Sequence, residues 1–469
     1  MEISSEKSGK HPPCEQLYER LKEELIRKKM PGGAKFYSVR QIVRKYGVNI
    51  NTSLKAFHRL ERDGYIFSVE GKGSFVKEAA DFHIHKETVP ILETFGNGQQ
   101  AEKYAYNFAN GTPSSCLFPV EAYRELSDRA IRESGRRLFE YQNIQGLQSL
   151  RAVFADFLEK QDIFVTADDI VVTSGTQHAL SIILKAFGSQ PPKTVVLSAP
   201  TYLNALNFFH EISHIKTMEL QPDGWDMEAF EKFLQKDKIH FAYITVNFQN
   251  PTGILWSLEK RQKLLDLARF YDFYIIEDDC FSDFYYTGAP VPSLKSLDQW
   301  DKERVIYIKT YSKTFMPAIS LAPMVFPKPF RDKFILSKYG LDPNTSGLNQ
   351  KILEYYISED YQEKHLKKCR EILSRRYHKM LSLVEKLPNA QLPHIPQGGF
   401  FFWIRLADRV KPEDFLRKCT ESGVLILPGG VFYHDGRDSS FVRLSFVSSG
   451  LKEIEGGMDI LHDILSAFR

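Results

Sequence analysis

Three residues that follow apolar segments carry the functional groups of one covalent chemistry. Asn250 begins an Asn-Pro-Thr-Gly turn, Asp278 follows the run FYIIE, and Lys313 lies just after the run RVIYIKT. A lysine amine forms a Schiff base with an aldehyde, a carboxylate keeps a pyridine nitrogen protonated, and an amide donates to a ring oxygen. Taken singly, these residues are typical of a turn, a solvated loop and a charged surface. Their order and strand-end placement together predict a site for pyridoxal 5'-phosphate (PLP), held by Lys313.

A glycine turn predicts where the phosphate of such a cofactor would lie. Gly175, Thr176 and Gln177 follow a predicted strand and begin a predicted helix. The free N–H groups and the dipole of a helix N-terminus attract anions, and the Thr176 hydroxyl adds a donor. This turn is a weak signal alone, and it gains weight from the three residues above.

The segment that must position these residues, 104–469, alternates buried-looking runs with amphipathic runs. The alternation predicts an α/β fold in which helices cover a mostly parallel central sheet, with ligand groups at the carboxyl ends of the strands. The runs interpreted as strands are DIVVTSG, TVVLSAP, HFAYITVNFQ, FYIIEDD and RVIYIKTYS.

From YNFANGTPSSCLFP to FVRLSFVSS, this segment resembles the fold type I PLP-dependent aminotransferases. The resemblance implies that Tyr141 reaches the cofactor phosphate of a neighbouring subunit, so we expect a homodimer. It also implies that Tyr202 flanks the cofactor ring and that Arg443 binds a ligand carboxylate through a bidentate pair. Thr310 and Ser312, close to the lysine, are expected to donate to the phosphate.

Two places depart from the aminotransferase pattern. Ser320 and Leu321 occupy the positions expected for an arginine that pairs with the phosphate, and Cys280 and Phe281 stand where a tyrosine normally bonds the ring oxygen. A charge-assisted hydrogen bond contributes about 1.5–3 kcal/mol, so losing one weakens cofactor binding roughly tenfold to a hundredfold. We therefore expect binding without efficient turnover, which favours a sensor over a catalyst.

Residues 12–78 have the pattern of a small helical module with a hairpin. Leu17, Leu21 and Leu25 form one apolar stripe on a first helix, and a second helix is predicted over residues 38–46. A third helix follows, and two short strands then surround a Glu-Gly-Lys-Gly turn that reads as a wing with a basic tip.

The third helix begins at Asn49 or Asn51, either of which can cap it. Its first turn is expected to expose short polar groups, Ser53 among them, that can reach base edges and phosphates. The stretch from YSVRQIVRKYG to GKGSFV resembles the GntR-type winged helix-turn-helix, and its fusion to the large segment resembles the MocR subfamily. A helical protein-interaction module is the alternative. The resemblance implies contacts to DNA from Arg40, Asn51, Thr52 and Lys72.

The distribution of charge is typical of a nucleic-acid-binding module, residues 12–78, here called the head, joined to a nearly neutral large segment. Residues 1–80 carry 16 Lys and Arg against 10 Asp and Glu, whereas the whole chain of 469 residues has a net charge of only +3. A polar run over residues 79–103 predicts a linker. The sequence contains no long apolar run and no metal-type Cys spacing, so we expect a cytoplasmic protein without a metal.

Together these features predict a transcriptional regulator that binds an operator in double-stranded DNA, holds PLP and senses a small amino compound through Schiff-base exchange at Lys313. Two alternatives remain open. The chain is an active PLP-dependent aminotransferase with a vestigial head, or it is a repressor whose large domain only dimerises and holds no cofactor.

Overall fold

The structure, a computed structural model, divides into two compact units, residues 1–86 and 87–469, and each unit is described by itself. The predicted linker over 79–103 and the predicted DNA-contacting residue Lys72 lie outside the described residues. The described residues are 13–27, 33–62, 65–69, 73–76, 104–188, 192–299, 302–342 and 344–468.

The N-terminal unit packs three helices against a hairpin, as predicted. The stripe of Leu17, Leu21 and Leu25 is buried in its core together with Ile42 and Leu60. The two strands pair antiparallel. The elements are α1 (Pro13–Arg27), α2 (Val39–Tyr46), α3 (Ile50–Arg62), β1 (Ile66–Val69) and β2 (Gly73–Val76).

Local hydrogen bonds fix where the second and third helices begin and end. The Ser38 hydroxyl accepts from the backbone N–H of Gln41, whose side chain accepts from the Ser38 N–H, which is a capping box. Gly47 then ends α2 with a φ of 66°, in the left-handed region that favours glycine. Asn49 caps α3, because its side-chain oxygen accepts from the Thr52 N–H at 2.7 Å.

One expectation for α3 is wrong. Ser53 was expected on the exposed first turn, but its side chain is fully buried and its hydroxyl donates to the Val39 carbonyl at 3.3 Å. The hydroxyl therefore joins α3 to α2. Asn51 and Lys55 are exposed and Thr52 is partly exposed, so these residues remain accessible to a groove.

The strands of the large unit are β3 (Tyr106–Asn107), β4 (Ile170–Thr173), β5 (Lys193–Ala199), β6 (Ser213–Gln221), β7 (Gly224–Trp225), β8 (Phe241–Ile244), β9 (Tyr274–Asp279), β10 (Val305–Lys309), β11 (Ala322–Val325), β12 (Ala390–Gln391), β13 (Phe401–Leu406), β14 (Val424–Leu425), β15 (Leu427–Pro428) and β16 (Phe441–Ser445). Eight of them form one sheet with the strand order β4-β11-β10-β9-β8-β5-β6-β7. In this sheet β10, β9, β8, β5 and β6 pair in parallel, and β11 runs antiparallel between β10 and β4, which confirms the mostly parallel sheet.

Alternate residues of the central strands belong to two separate apolar cores. Val172 and Val196 lie in one, and Val171 and Val195 lie in the other. Since successive side chains of a strand point to opposite faces, both faces of this sheet are covered, which explains the continuous apolar runs in the sequence.

Helices supply the covering layers, and none of those in the described residues combines the length and apolar content needed to span a membrane. The helices of the large unit are α4 (Val120–Ser134), α5 (Gln148–Glu159), α6 (Thr176–Ala186), α7 (Leu203–Ile212), α8 (Met227–Leu234), α9 (Leu258–Phe270), α10 (Leu294–Leu297), α11 (Arg331–Tyr339), α12 (Gly347–Ser358), α13 (Tyr361–Val384), α14 (Pro412–Glu421) and α15 (Leu451–Ser466).

A second, four-stranded antiparallel sheet has the order β12-β13-β16-β15, and β14 pairs in parallel with β3. An apolar core that includes Phe402, Leu444 and Met458 joins this sheet to α13 and α15. Strand β16 carries Arg443, so this sheet places the predicted carboxylate-binding residue.

Glu277 on β9, the residue before Asp278 in the chain, is a buried carboxyl group. It is fully buried, and its two oxygens accept from the backbone N–H groups of Leu294 and Lys295 at 2.8 and 2.9 Å. Burial raises the pKa of Glu277 from 4.5 to about 7, because the charged form is poorly solvated there. The folded protein therefore holds this proton more tightly than the unfolded chain does.

We expect Glu277→Gln to flatten the pH dependence of unfolding. A carboxyl whose pKa is raised by folding adds stability at low pH, and this contribution is lost as pH rises from 4.5 to about 7. The loss between pH 5 and 7 amounts to about 2 kcal/mol. Urea unfolding at several pH values measures it. Glu259→Gln, at an exposed position, serves as the control, and equal slopes in wild type and Glu277→Gln would contradict the assignment.

Candidate cofactor and ligand site

A cavity of about 450 Å³ lies where the central strands end. Its walls come from the turns after β4, β8, β9 and β10 and from β13, β15 and β16. The structure thus brings together most of the predicted cofactor and ligand residues, which come from distant parts of the sequence. Those lining the cavity are Gly175, Thr176, Gln177, Tyr202, Asn250, Asp278, Thr310, Ser312, Lys313 and Arg443.

Asp278, near the end of β9, is a buried carboxyl group held by three donors. It accepts from the Tyr243 hydroxyl at 2.6 Å, the Cys280 thiol at 3.1 Å and the Thr176 hydroxyl at 3.5 Å. Burial raises its pKa despite these bonds, and no cation pairs with it among the described residues. A protonated ring nitrogen would supply the missing positive charge, so this carboxyl group fits the predicted role.

Lys313 presents its amine to the same cavity. Its Nζ lies 3.5 Å from the Thr112 hydroxyl, and no described carboxylate forms an ion pair with it. Burial lowers the pKa of Lys313, which increases the fraction of neutral, nucleophilic amine. An amine in this state can join an aldehyde.

Arg443 and Asn250 form one hydrogen-bonded pair in the cavity wall. Arg443 Nη1 donates to Asn250 Oδ1 at 2.8 Å, and Nη2 donates to the Ala109 carbonyl. The Asn250 oxygen is thereby occupied, while its amide N–H groups remain available for a ring oxygen. Arg443 Nε is buried, with no partner in the described structure.

Burial also gives Arg443 the properties of an anion-binding group. It lowers the pKa of Arg443 to about 9, because the charged form is poorly solvated in a residue that is only 3% exposed. The rings of Phe401 and Phe432 lie 4.2 and 5.2 Å from the guanidinium, where they attract its charged form. A buried cation with a free N–H group is stabilised by an incoming carboxylate. The geometry therefore fits the predicted carboxylate contact.

The predicted phosphate turn is open. Gly175 has a φ of +103°, and a Cβ added there would meet no atom within 4 Å. Thr176 begins α6, an 11-residue helix whose first N–H groups have no partner within the helix. Thr310 and Ser312 line the cavity as further hydroxyl donors. The donor set therefore fits a phosphate, held by neutral groups.

Ser320 lies at this turn in place of a cation. It is exposed, has a φ of +46° and donates from its hydroxyl to the Ser174 carbonyl at 3.3 Å. Leu321 is buried and does not line the cavity. Since Lys313 and Arg443 are the two cations among the described lining residues, no third one remains for the phosphate.

Cys280 and Phe281 also differ from the usual arrangement. The Cys280 thiol is directed at the Asp278 carboxylate, and Phe281 packs edge-on against Phe400 and Phe401 at 5.1 and 5.8 Å. Neither side chain supplies a phenol hydroxyl. Both line the cavity.

Some predicted residues lie elsewhere, and some site residues were missed. Tyr141 is 84% exposed and does not line the cavity of its own chain, so its contact to a neighbouring subunit stays a prediction. Arg40, in the other unit, is exposed on α2. Sequence reasoning missed Tyr243, which reads as an ordinary strand residue, and Thr112, which carries no motif signal beyond its place in NGTPSS.

A winged helix-turn-helix unit and an aminotransferase-type unit in one chain define a class of DNA-binding regulator. Residues 105–455 match the aminotransferases of class I and II, and residues 13–76 match the gntR family of bacterial regulatory proteins. The chain therefore belongs to the class I and II aminotransferase family, as a MocR-type fusion with a GntR-type DNA-binding domain.

Relatives cover both the large unit and the complete arrangement. The aromatic-amino-acid aminotransferase 1 of Thermococcus litoralis is 31% identical over 76% of this chain and 87% of its own length. An uncharacterised HTH-type transcriptional regulator of Bacillus subtilis, YdfD, is 26% identical over 96% of both chains. The crystal structure of Pyrococcus horikoshii kynurenine aminotransferase superposes with a TM-score of 0.75 and 29% identity, covering 80% of this chain and 94% of that one.

Proposed function

We propose that this DNA-binding regulator holds PLP on Lys313 and responds to a small amino compound that exchanges with the lysine at the cofactor. The protein acts as a homodimer on a double-stranded DNA operator. The head would bind DNA through Arg40, Asn51, Thr52 and Lys72, and the large unit would act as the sensor.

One observation carries this proposal. The cavity keeps the amine of Lys313, the buried carboxyl group of Asp278 and the free guanidinium N–H of Arg443, yet its described lining has neither a third cation nor a phenol at position 280. The groups expected to attach the cofactor and to hold the ligand are therefore retained, while the described lining lacks a cation for the phosphate and a phenol for the ring oxygen.

The roles of the residues follow from their surroundings. Bound PLP supplies an aldehyde that amines can join and a ring that accepts electron density. Burial keeps part of the Lys313 amine neutral, the form that can join an aldehyde and that is released again when a ligand amine takes its place. Asn250 orients Arg443 through their 2.8 Å hydrogen bond, and Arg443 would orient the ligand through its carboxylate.

The response at the operator requires a difference in affinity. A ligand shifts a conformational equilibrium only if it binds one state more tightly than the other. We propose that amine exchange at Lys313 favours a state of the dimer in which the two heads have a different spacing. Operator affinity then depends on the ligand.

An active aminotransferase is the second candidate, and the 31% identity to the Thermococcus litoralis enzyme supports it. Steady conversion of an amino acid and a keto acid, without DNA binding, would favour this function. A cofactor-free repressor is the third candidate, and absence of a coloured, reducible adduct after incubation with PLP would favour it.

We expect the PLP-loaded full-length chain to bind duplexes selected from a random library and to change its affinity for them by about fivefold or more when a responsive L-amino acid is added. Fluorescence anisotropy at several salt concentrations measures both effects. Identical DNA affinity with every member of an amino acid panel would contradict the sensing role.

Two arginine variants provide the matched comparison. Arg40→Ala should weaken binding and reduce the slope of log affinity against log salt by about 1, because one phosphate contact is lost. Arg20→Ala removes the same charge from an exposed position on α1 and should leave the slope unchanged. Equal effects of the two variants would contradict the predicted DNA contact of Arg40.

A further inference from the structure

The cavity also indicates the class of compound that is sensed. We propose that the ligand is an amino acid with a single carboxylate and an uncharged, apolar side chain. This inference rests on the proposed amine exchange, since it assigns Lys313 to the cofactor and Arg443 to the ligand.

The charged residues of the cavity are the first argument for an uncharged ligand side chain. Its described lining contains two cations, Lys313 and Arg443, and one carboxyl group, Asp278. In the exchanged state the cofactor uses Asp278, the ligand's α-carboxylate uses Arg443, and Lys313 is released as an amine that burial favours in its neutral form. Apart from that amine, no charged group among the described lining residues is left to pair with a second carboxylate, and none is left for a side-chain ammonium.

The residues around Arg443 are the second argument, because they favour an apolar ligand side chain. The rings of Phe401 and Phe432 lie 4.2 and 5.2 Å from its guanidinium, and both rings are about 1% exposed. In the sheet, Leu427 pairs with Arg443 on one side and Trp403 pairs with it on the other. Directly paired residues point to the same face, so the neighbours of Arg443 on that face are apolar.

These surroundings set the selectivity. A ligand held by Arg443 would bring its side chain close to Phe401, Phe432 and Leu427, which are lining residues. A methyl or aromatic group gains from leaving water there. A charged group would lose its hydration without gaining a partner, which should weaken binding by about a hundredfold or more.

The cavity mouth offers a position at which this selectivity can be changed. Asn204 lines the cavity on α7 but is exposed, unlike the rings beside Arg443. It is neutral, so the described mouth adds no charge at this position. An arginine at this position could reach a ligand side chain, and it would replace the hydrogen bond between the side chains of Asn204 and Tyr202.

The test compares three amino acids with side chains of similar length on the PLP-loaded full-length chain. L-norleucine ends in a methyl group, L-2-aminoadipate in a carboxylate and L-lysine in an ammonium group. Titration followed by the visible absorbance of the cofactor should give an affinity for L-norleucine about a hundredfold or more above the other two. Binding of either charged compound as tightly as L-norleucine overturns the inference.

Variants at Asn204 provide a second measurement. Asn204→Arg should tighten L-2-aminoadipate binding about tenfold through one charge-assisted pair, and leave L-norleucine within about threefold. Asn204→Gln, the neutral control, keeps an amide beside Tyr202 and should leave the ratio of the two affinities unchanged. If Asn204→Arg does not fold, the wild-type ranking still decides.

The failures of the two proposals are distinguishable. A reversed ranking, with amine exchange still visible, overturns the ligand class alone. No spectral response to any of the three compounds, with Lys313 still labelled by borohydride reduction, overturns both the exchange and the ligand class. No label on Lys313 overturns the proposed cofactor attachment itself.

Discussion

Lys313→Ala is expected to abolish covalent attachment of PLP, whereas the wild-type chain should be labelled close to stoichiometrically after borohydride reduction. Lys313 supplies the one amine among the described lining residues, and burial lowers its pKa so that part of it is neutral. Peptide mass mapping of reduced protein locates the adduct, and loss of the cofactor's visible band gives an independent measurement. The variant should also lose any spectral response that requires exchange at the lysine.

Lys328→Ala is the matched control, because it removes an exposed lysine from the same unit. It should keep the label on Lys313 and the visible band. A Lys313→Ala protein that is still reduced at another lysine would show that the cavity does not hold the cofactor covalently where we place it. An unlabelled wild-type chain would favour the cofactor-free repressor.

Local rules in the sequence predicted much of the head. Helix α2 begins at a capping box formed by Ser38 and Gln41 and ends at the left-handed Gly47. These residues lie close together in the chain, so both ends of the helix can be predicted without tertiary structure. Ser53 shows the limit of this reasoning. Whether its hydroxyl faces a groove or the Val39 carbonyl depends on how α3 packs on α2, which residue types alone do not determine.

The candidate site also has a part that could be predicted from the sequence and a part that could not. Parallel strands bring their carboxyl ends to one edge of a sheet, so Asp278 and Lys313 could be predicted to lie close together. The contacts that set their properties come from residues without a motif: Tyr243 on the neighbouring strand β8 bonds Asp278, and Thr112 approaches the lysine from far along the chain. Such contacts depend on strand order and on loop packing.

The two departures from the aminotransferase pattern lie at opposite ends of the predicted cofactor site. Cys280 adds a thiol donor to Asp278, which also accepts from the Tyr243 hydroxyl, but it supplies no phenol for a ring oxygen. Ser320 only bonds the Ser174 carbonyl, and the phosphate turn receives no positive charge from it. We therefore expect the missing cation to weaken cofactor binding mainly at the phosphate.

Ser320→Arg is expected to tighten PLP binding by about tenfold to a hundredfold, because it restores a charge-assisted pair worth about 1.5–3 kcal/mol. Position 320 is exposed and lines the cavity next to the phosphate turn, so a longer side chain has room. Its φ of +46° is unfavourable for serine and arginine alike, and the exchange therefore adds little backbone strain. Equilibrium dialysis of the apo chain with PLP measures the change.

Two comparisons identify the source of the expected gain. One separates the charge of the new side chain from its length, and the other separates the cofactor phosphate from the cofactor ring. Ser320→Gln has a long neutral side chain and should change PLP affinity by less than about threefold, since a neutral donor contributes less. Pyridoxal, which lacks the phosphate, should bind Ser320→Arg and wild type equally. An equal gain for pyridoxal and PLP, or no gain for PLP, would mean that the turn at Gly175 does not hold the phosphate.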